Sequence, residues 1–199
     1  MYQLIGSPKT RAFRVLWMME ELGVDYEILP SSPQGSAILA ANPSGKVPAL
    51  MVGDEIIVDS VAIIQFLADK HDKFTFKAGT IERGRQDSFL HFANDEMDGT
   101  CWTAAKHSFA FPPEHRVAGV LEACKWDWGR TIKVFEQRLG DNEFVMGDQF
   151  TVPDFVICHV AGWAKITGFD WPEGAVSDYF KRVRSRPAFK RSTQIRKDS

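Results

Sequence analysis

The stretch NPSGKVPAL, residues 42–50, marks a turn in the chain and the start of a hairpin. Its proline and glycine residues interrupt regular structure. The apolar run VPALMV (47–52) is then separated from a second run, EIIVD (55–59), by Gly53-Asp54. A two-residue connection that contains glycine is typical of a β-hairpin. The sequence therefore predicts two neighbouring antiparallel strands between residues 47 and 59.

The residues before this hairpin predict a β-α-β unit. YQLIG (2–6) is a short apolar run, and VDYEILP (24–30) is a second one with alternating apolar positions. Between them, Phe13, Leu16 and Trp17 recur with helical spacing, and Gly23 closes the pattern, as glycine does after a helix. Strands joined in this way form a parallel pair.

The residues after the hairpin complete the first predicted domain. DSVAIIQFLADKH (59–71) has the apolar spacing of a helix, and one weak helical turn precedes residue 42. The resulting order is βαβαββα, which is a small mixed sheet with helices on its faces. We assign this α/β domain to residues 1–73.

After a linker around residues 76–80, the chain contains no convincing strand. Residues 82–107 and 115–139 are long helical patterns separated by the breaker FAFPPE (109–114). TVPDFVICHVAGWAKITG (151–168) predicts a further helix, with Thr151 and Asp154 spaced as a capping box. One or two more helices follow, interrupted by Pro187. We therefore predict an all-α domain over residues 80–199.

Composition excludes several classes of function. The net charge of −2 and the pI near 6.2 provide no basic field for nucleic acid, and the basic segment 181–197 is typical of a helical surface. The N-terminus does not resemble a signal peptide, and no eighteen apolar residues run together, so we expect a cytoplasmic protein without a membrane partner. The three cysteines lie far apart without the spacing of metal ligands, so we expect no metal.

Five stretches together carry a resemblance to a known family. They are SPKTRAFRVLWMMEELGVDYE (7–27), NPSGKVPAL (42–50), DSVAIIQFLAD (59–69), FTVPDF (150–155) and RVRSRPAFKR (182–191). In this order and spacing, the chain resembles the cytosolic glutathione S-transferases, in particular bacterial and fungal members with a serine or threonine in the active site. The resemblance implies a thioredoxin-like N-terminal domain and an all-helical C-terminal domain. It also implies glutathione as co-substrate, a small hydrophobic electrophile, a role in detoxification and a homodimer with contacts near residues 83–97.

The resemblance directs attention to two hydroxyls, Ser7 and Thr10, in the loop before the first helix. A thiol must be ionised to attack an electrophile, and a hydroxyl donor at a helix N-terminus stabilises a thiolate. One alignment with the family places its catalytic hydroxyl at Ser7, and another places it at Thr10. Either hydroxyl is also a suitable helix cap. The first hundred residues contain no cysteine, which excludes thiol exchange by a cysteine in this domain.

The resemblance also implies the contacts of glutathione. It implies a cis peptide bond at Pro48, with the backbone of Val47 pairing with the peptide like an added strand. Asp59-Ser60 matches the acidic-serine pair that the family uses for the γ-glutamyl end, although either residue is also a good N-cap. Lys46 and Gln34 are candidates for the glycine carboxylate, and Lys46 is equally well explained as a solvated loop residue.

Aromatic residues near the break between the two long helices are candidates for the electrophile site. They are Trp102, His107, Phe109 and Phe111. Aromatic faces suit a flat apolar substrate, but the same residues would also serve as a core between helices. Two other functions stay open. They are a non-catalytic ligand-binding or assembly module, and a specialised glutathione-dependent lyase, dehalogenase or isomerase.

Overall fold

The computed structural model describes residues 1–199, which form two compact units. Unit 1 consists of residues 1–75 and 184–199, and unit 2 consists of residues 76–183. The strands are β1 (Tyr2–Ile5), β2 (Tyr26–Leu29), β3 (Ala49–Val52) and β4 (Glu55–Val58). The helices are α1 (Ala12–Leu22), α2 (Ser36–Ala41), α3 (Ser60–His71), α4 (Ile81–Phe92), α5 (Gly99–Ala105), α6 (Gly119–Leu139), α7 (Val152–Ile166), α8 (Gly174–Ser185) and α9 (Pro187–Asp198).

The sheet of unit 1 has the order β2-β1-β3-β4. Strand β1 is parallel to β2 and antiparallel to β3, and β3 and β4 form the antiparallel hairpin. Leu4, in the middle of β1, pairs with Ile28 on one side and Leu50 on the other. The predicted βαβαββα order and thioredoxin-like fold are therefore confirmed. Gly23 ends α1 in the left-handed conformation, as the glycine in the sequence predicts.

The last helix belongs to unit 1, whereas the sequence assigns residues 80–199 to a single helical domain. Helix α9 packs on α1, where the ring of Phe189 lies 5.5 Å from that of Phe13 and 4.9 Å from that of Trp17. Arg186, at the start of α9, forms a two-pronged ion pair with Glu21 at 2.6 and 2.8 Å. Because Phe13 and Trp17 are fully buried, Phe189 covers apolar area on α1 that would otherwise face water.

Unit 2 is built from helices. Helices α4 and α5 are joined by a π-helical segment at residues 93–98, and a second π-helical segment follows α5 at residues 106–110. The predicted break lies at the end of this second segment, where Phe111 adopts an extended conformation. The 21-residue helix α6 follows, and Pro187 separates α8 from α9 as the sequence predicts. No helix of the chain is both long enough and apolar enough to cross a lipid bilayer.

The predicted capping box of α7 is present and is fully buried. The carboxylate of Asp154 accepts hydrogen bonds from the backbone N–H of Thr151 (2.8 Å), the hydroxyl of Thr151 (3.1 Å), the N–H of Val145 (3.2 Å) and the hydroxyl of Tyr179 (2.8 Å). Burial raises the pKa of Asp154 to about 6, and the four hydrogen bonds oppose this rise. Asp154 therefore ties α7, α8 and the preceding loop together within unit 2.

Candidate active site

The two hydroxyls in the loop before α1 differ in their hydrogen bonds. Thr10 donates its hydroxyl hydrogen to the carbonyl oxygen of Ser7 at 2.7 Å, and its oxygen accepts from the N–H of Ala12 at 3.2 Å. Thr10 is therefore the residue that caps the first turn, since the formal N-cap, Arg11, makes no side-chain cap. Ser7 accepts from the N–H of Lys9 at 3.2 Å, and its own hydroxyl hydrogen has no acceptor in the chain. The hydroxyl of Ser7 is thus the one that can still donate.

The loop at residues 42–50 contains the predicted cis peptide bond between Val47 and Pro48. The loop is held by Asn42, whose amide nitrogen donates to the carbonyl oxygen of Lys46 at 2.8 Å. The hydroxyl of Ser44 donates to the amide oxygen of Asn42 at 2.9 Å. By contrast, the backbone N–H and C=O of Val47 have no hydrogen-bond partner in the chain. An extended peptide can pair with these two groups as an added strand would.

Gly6 brings the hydroxyl loop against the cis-proline loop. A methyl group on Gly6 would lie 3.1 Å from Cβ of Ala12 and 3.3 Å from Cβ of Val47. The φ angle of Gly6 is +147°, a region that residues with a side chain rarely adopt. Only glycine therefore permits this approach of residue 6, the neighbour of Ser7, to Val47.

Asp59 and Ser60 form the N-terminus of α3. One carboxylate oxygen of Asp59 accepts from the N–H groups of Val61 (2.8 Å) and Ala62 (3.1 Å), so this residue caps the helix. Its φ of +74° is unusual for a residue other than glycine, and such strained positions cluster at functional sites. Ser60 is buried, and its hydroxyl accepts from Nη1 of Arg14 at 3.2 Å. The hydroxyl hydrogen of Ser60 therefore points away from Arg14 and can serve another acceptor.

Gln34 and Lys46 have different environments. Gln34 adopts a φ of +65°, donates its backbone N–H to the carbonyl of Gly45 at 2.9 Å, and donates Nε2 to the carbonyl of Ser44 at 3.0 Å. Its side chain therefore lies on the loop that carries Val47. Lys46 is exposed and forms no ion pair, so its ammonium group is accessible to an anion.

The predicted electrophile residues lie in unit 2. His107 and Phe111 are in edge-to-face contact at 5.4 Å, and Phe109 is 52% exposed. Trp102 is half-buried on α5, five residues before His107. Nδ1 of His107 accepts from the N–H of Val117 at 3.1 Å, so a neutral His107 carries its proton on Nε2. The structure thus brings His107 and Phe111 into contact and leaves Phe109 open to solvent.

The structure adds residues that the sequence argument does not single out. Arg14 is a fully buried guanidinium on an otherwise apolar helix face, and it holds the hydroxyl of Ser60. Asn42 fixes the carbonyl of Lys46, next to Val47. A charged residue among the apolar positions of α1 is a signal in the sequence, because a buried charge needs a specific partner. Nothing in the sequence indicates that the hydroxyl hydrogen of Thr10 is donated to a carbonyl whereas that of Ser7 has no acceptor in the chain.

Comparison with family models and with known proteins identifies the family of this chain. Residues 2–75 match the model "Glutathione S-transferase, N-terminal domain", and residues 100–187 match "Glutathione S-transferase, C-terminal domain". The chain is 28% identical over 165 residues to glutathione S-transferase 3 of Zea mays, covering 76% of this chain and 73% of that protein. It is 27% identical to a glutathione transferase of Phanerochaete chrysosporium solved in complex with oxidized glutathione, with a TM-score of 0.84 and coverage of 99% and 96%. It is also 27% identical over 200 residues to elongation factor 1-gamma of Prunus avium, covering 94% of this chain and 46% of that protein.

Proposed function

Because the chain belongs to the glutathione S-transferase family, we propose that it conjugates reduced glutathione to small hydrophobic electrophiles, with Ser7 as the donor that stabilises the thiolate. One observation carries the choice of donor. Ser7 lies in the turn that precedes α1 and directly follows Gly6, which approaches Val47, and the hydroxyl hydrogen of Ser7 has no acceptor in the chain. The hydrogen of Thr10 is already donated to a carbonyl, so Thr10 would have to give up that bond.

One hydroxyl donor can supply the free energy that is needed to lower the pKa of the glutathione thiol. A free thiol has a pKa of about 8.5, and lowering it by about two units corresponds to roughly 2.7 kcal/mol. A hydrogen bond to a charged group contributes about 1.5–3 kcal/mol, and a helix N-terminus adds about 0.3–1 kcal/mol. Ser7 and the dipole of α1 therefore suffice without a general base or a metal ion.

The remaining residues of unit 1 would orient the peptide. The N–H and C=O of Val47, next to Pro48, would pair with the cysteinyl backbone of glutathione. The free hydroxyl hydrogen of Ser60 would bind the γ-glutamyl carboxylate, and the second carboxylate oxygen of Asp59 would bind the ammonium group. The Lys46 ammonium group, with the Gln34 amide oxygen bridging through water, would receive the glycine end.

The electrophile would be bound by aromatic residues of unit 2. Phe109 offers an exposed ring, and His107 and Phe111 are in edge-to-face contact with each other. Trp102 lies close by in sequence on the preceding helix. Nε2–H of His107 would donate to a polar group of the substrate, such as a carbonyl or nitro oxygen. We further propose a cytoplasmic homodimer that acts in detoxification, with subunit contacts around residues 83–97.

A pH titration of the thiolate tests the mechanism. Reduced glutathione is added to the purified chain, and the ultraviolet absorbance of the thiolate is followed across pH. We expect ionisation to begin well below the ordinary thiol pKa, to return to that value in Ser7→Ala, and to stay low in Thr10→Val. If Thr10→Val instead loses the signal while Ser7→Ala keeps it, the donor is Thr10. Binding of glutathione without any early thiolate signal in the unmodified chain would refute the transferase mechanism.

The similarity to an elongation factor 1-gamma supports a second candidate, a non-catalytic assembly or ligand-binding module. Such a module has no need to ionise a thiol, so the same titration separates the two functions. A specialised lyase, dehalogenase or isomerase would show the early thiolate signal too. A panel of epoxides, aryl halides, ethers and haloalkanes, followed by product analysis, then identifies the reaction.

A further inference from the structure

Residues 106–117 of unit 2, which we call the aromatic turn, connect α5 to α6. The turn begins with the π-helical segment 106–110, and the N–H of Phe111 donates to the carbonyl oxygen of Lys106, five residues back, at 3.0 Å. Such π-helical segments are rare and are frequently found at functional sites. This segment carries Phe109, whose ring is 52% exposed. The contacts that hold the turn therefore determine where this ring lies.

The guanidinium group of Arg116 folds back onto the aromatic turn. Nε of Arg116 donates to the carbonyl oxygen of Phe111 at 2.7 Å, and Nη2 donates to the carbonyl oxygen of Phe109 at 3.0 Å. The last carbonyl groups of a helix have no partner within the helix, and a positive charge is favourable at that end. Because a guanidinium presents its donors in a rigid fork, Arg116 fixes the two carbonyl groups relative to each other.

His107 closes the aromatic turn from its other end. Nδ1 of His107 accepts from the N–H of Val117 at 3.1 Å, and its ring packs edge-to-face on Phe111 at 5.4 Å. Nζ of Lys106 lies 5.8 Å from the centre of the same phenyl ring. The side chains of Arg116 and Val117 are exposed, so burial in the core does not hold this end of the turn. The hydrogen bonds of Arg116 and His107 hold it instead.

We propose that Arg116 is a positioning residue for the electrophile: together with His107 it holds the aromatic turn closed, so that the rings of Phe109 and Phe111 keep fixed positions. This inference rests on the proposed transferase function. Arg116 acts through the backbone carbonyl groups of the turn and does not itself contact the substrate. Ordering a mobile side chain on binding costs free energy, so a turn that is already held in place favours binding. Binding of the electrophile should therefore depend on Arg116, whereas binding of glutathione in unit 1 should not.

Steady-state kinetics with 1-chloro-2,4-dinitrobenzene and reduced glutathione test the proposal. Arg116→Gln should raise the KM for the dinitrobenzene by about five- to ten-fold with a smaller change in kcat, and should leave the KM for glutathione and the thiolate titration unchanged. Arg130→Gln is the matched control, because Arg130 is an exposed arginine of α6 that pairs with Asp127 at 3.6 Å, and it should change none of these quantities. Arg116→Lys keeps the charge but loses the rigid fork, so its KM for the dinitrobenzene should stay at least about three-fold above that of the unmodified chain.

Amide hydrogen exchange gives a readout that does not depend on catalysis. The amide of Val117 should exchange at least about five-fold faster in His107→Leu, which removes the acceptor, than in His107→Asn, whose side-chain oxygen can replace Nδ1. Arg116→Gln should accelerate the exchange of the Phe111 amide by a similar factor, because the turn then opens more often. Amides in the middle of α6 should exchange as they do in the unmodified chain.

The two experiments separate failure of this inference from failure of the proposed function. An unchanged KM for the dinitrobenzene in Arg116→Gln, or full recovery in Arg116→Lys, would overturn the role of Arg116. If the unmodified chain forms no conjugate and shows no early thiolate signal, the proposed function fails, and amide exchange then decides whether Arg116 holds the turn. Faster exchange of Phe111 in Arg116→Gln would support this role, and unchanged exchange would overturn it.

Discussion

Replacing Gly6 by alanine tests whether the approach of the hydroxyl loop to the cis-proline loop builds the glutathione site. The added methyl group would lie 3.1 Å from Cβ of Ala12 and 3.3 Å from Cβ of Val47, closer than side-chain carbons normally approach. The φ of +147° is also a conformation that alanine resists. Both effects act on the same turn, which carries Ser7. The substitution should therefore reduce stability and also shift the turn that carries Ser7 relative to the loop that carries Val47.

The expected magnitude follows from comparison with a second glycine. Gly23 has a φ of +69° and open space where its Cβ would be, so Gly23→Ala introduces backbone strain alone. Strain of this kind costs about 1–2 kcal/mol. Gly6→Ala adds the contacts with Ala12 and Val47, and we expect a total of about 2–4 kcal/mol. For a chain of this length, each kcal/mol lowers the melting temperature by about 2–4 °C.

The assay combines thermal unfolding with calorimetric titration of reduced glutathione. Gly23→Ala should lower the melting temperature by a few degrees and leave the affinity for glutathione unchanged. Gly6→Ala should lower the melting temperature further and weaken glutathione binding by about ten-fold or more, because a displacement of a few tenths of an ångström disturbs several hydrogen bonds. If Gly6→Ala binds glutathione as the unmodified chain does, the two loops do not form the site together.

Three further predictions concern other contacts. Arg14→Met removes the guanidinium that holds the hydroxyl of Ser60, so the KM for glutathione should rise by about ten-fold with a smaller change in kcat; an unchanged KM would contradict this role. Because burial raises the pKa of Asp154 from 3.8 to about 6, the folded state binds this proton more tightly, and the group's contribution to stability is largest at low pH and is lost as the pH rises through about 6. The free energy of unfolding, measured relative to Asp154→Asn, should fall by about 2–3 kcal/mol between pH 4 and pH 7, and a rise would contradict this assignment. Arg191→Gln breaks the 2.6 Å ion pair with Glu20. Because the arginine side chain is mostly exposed, the free energy of unfolding, measured by urea denaturation, should fall by at most about 1 kcal/mol, and a loss above about 2 kcal/mol would contradict this expectation.

The sequence predicts those parts of the fold that depend on local signals. The hairpin of β3 and β4 follows from two apolar runs joined by Gly53-Asp54, and the end of α1 follows from Gly23. The capping box of α7 follows from Thr151 and Asp154 in the same way. Each of these features is determined by residues within a few positions of one another, so the pattern is visible without knowledge of tertiary structure.

Features that depend on distant residues are not predictable in this way. The packing of Phe189 on Phe13 joins residues more than a hundred positions apart, so the sequence places α9 in the helical domain by continuity alone. The hydrogen bond from Arg14 to Ser60 also joins separate elements. The difference between Ser7 and Thr10 depends on the direction of one hydroxyl hydrogen bond within a single turn, and no residue pattern encodes that direction.

The position of α9 affects the order in which parts of the protein can complete their packing during synthesis. Unit 1 is interrupted by the whole of unit 2, and the ion pair between Glu21 and Arg186 joins residues 165 positions apart. During synthesis, residues 1–75 leave the ribosome before residues 184–199, so the surface formed by Phe13 and Trp17 stays uncovered until the later segment has also emerged. Unit 2 is contiguous in sequence and has emerged completely by then. Residues 1–75 can thus complete their packing only after residues 184–199 have emerged, and a chain truncated before α9 would have an open apolar surface on α1.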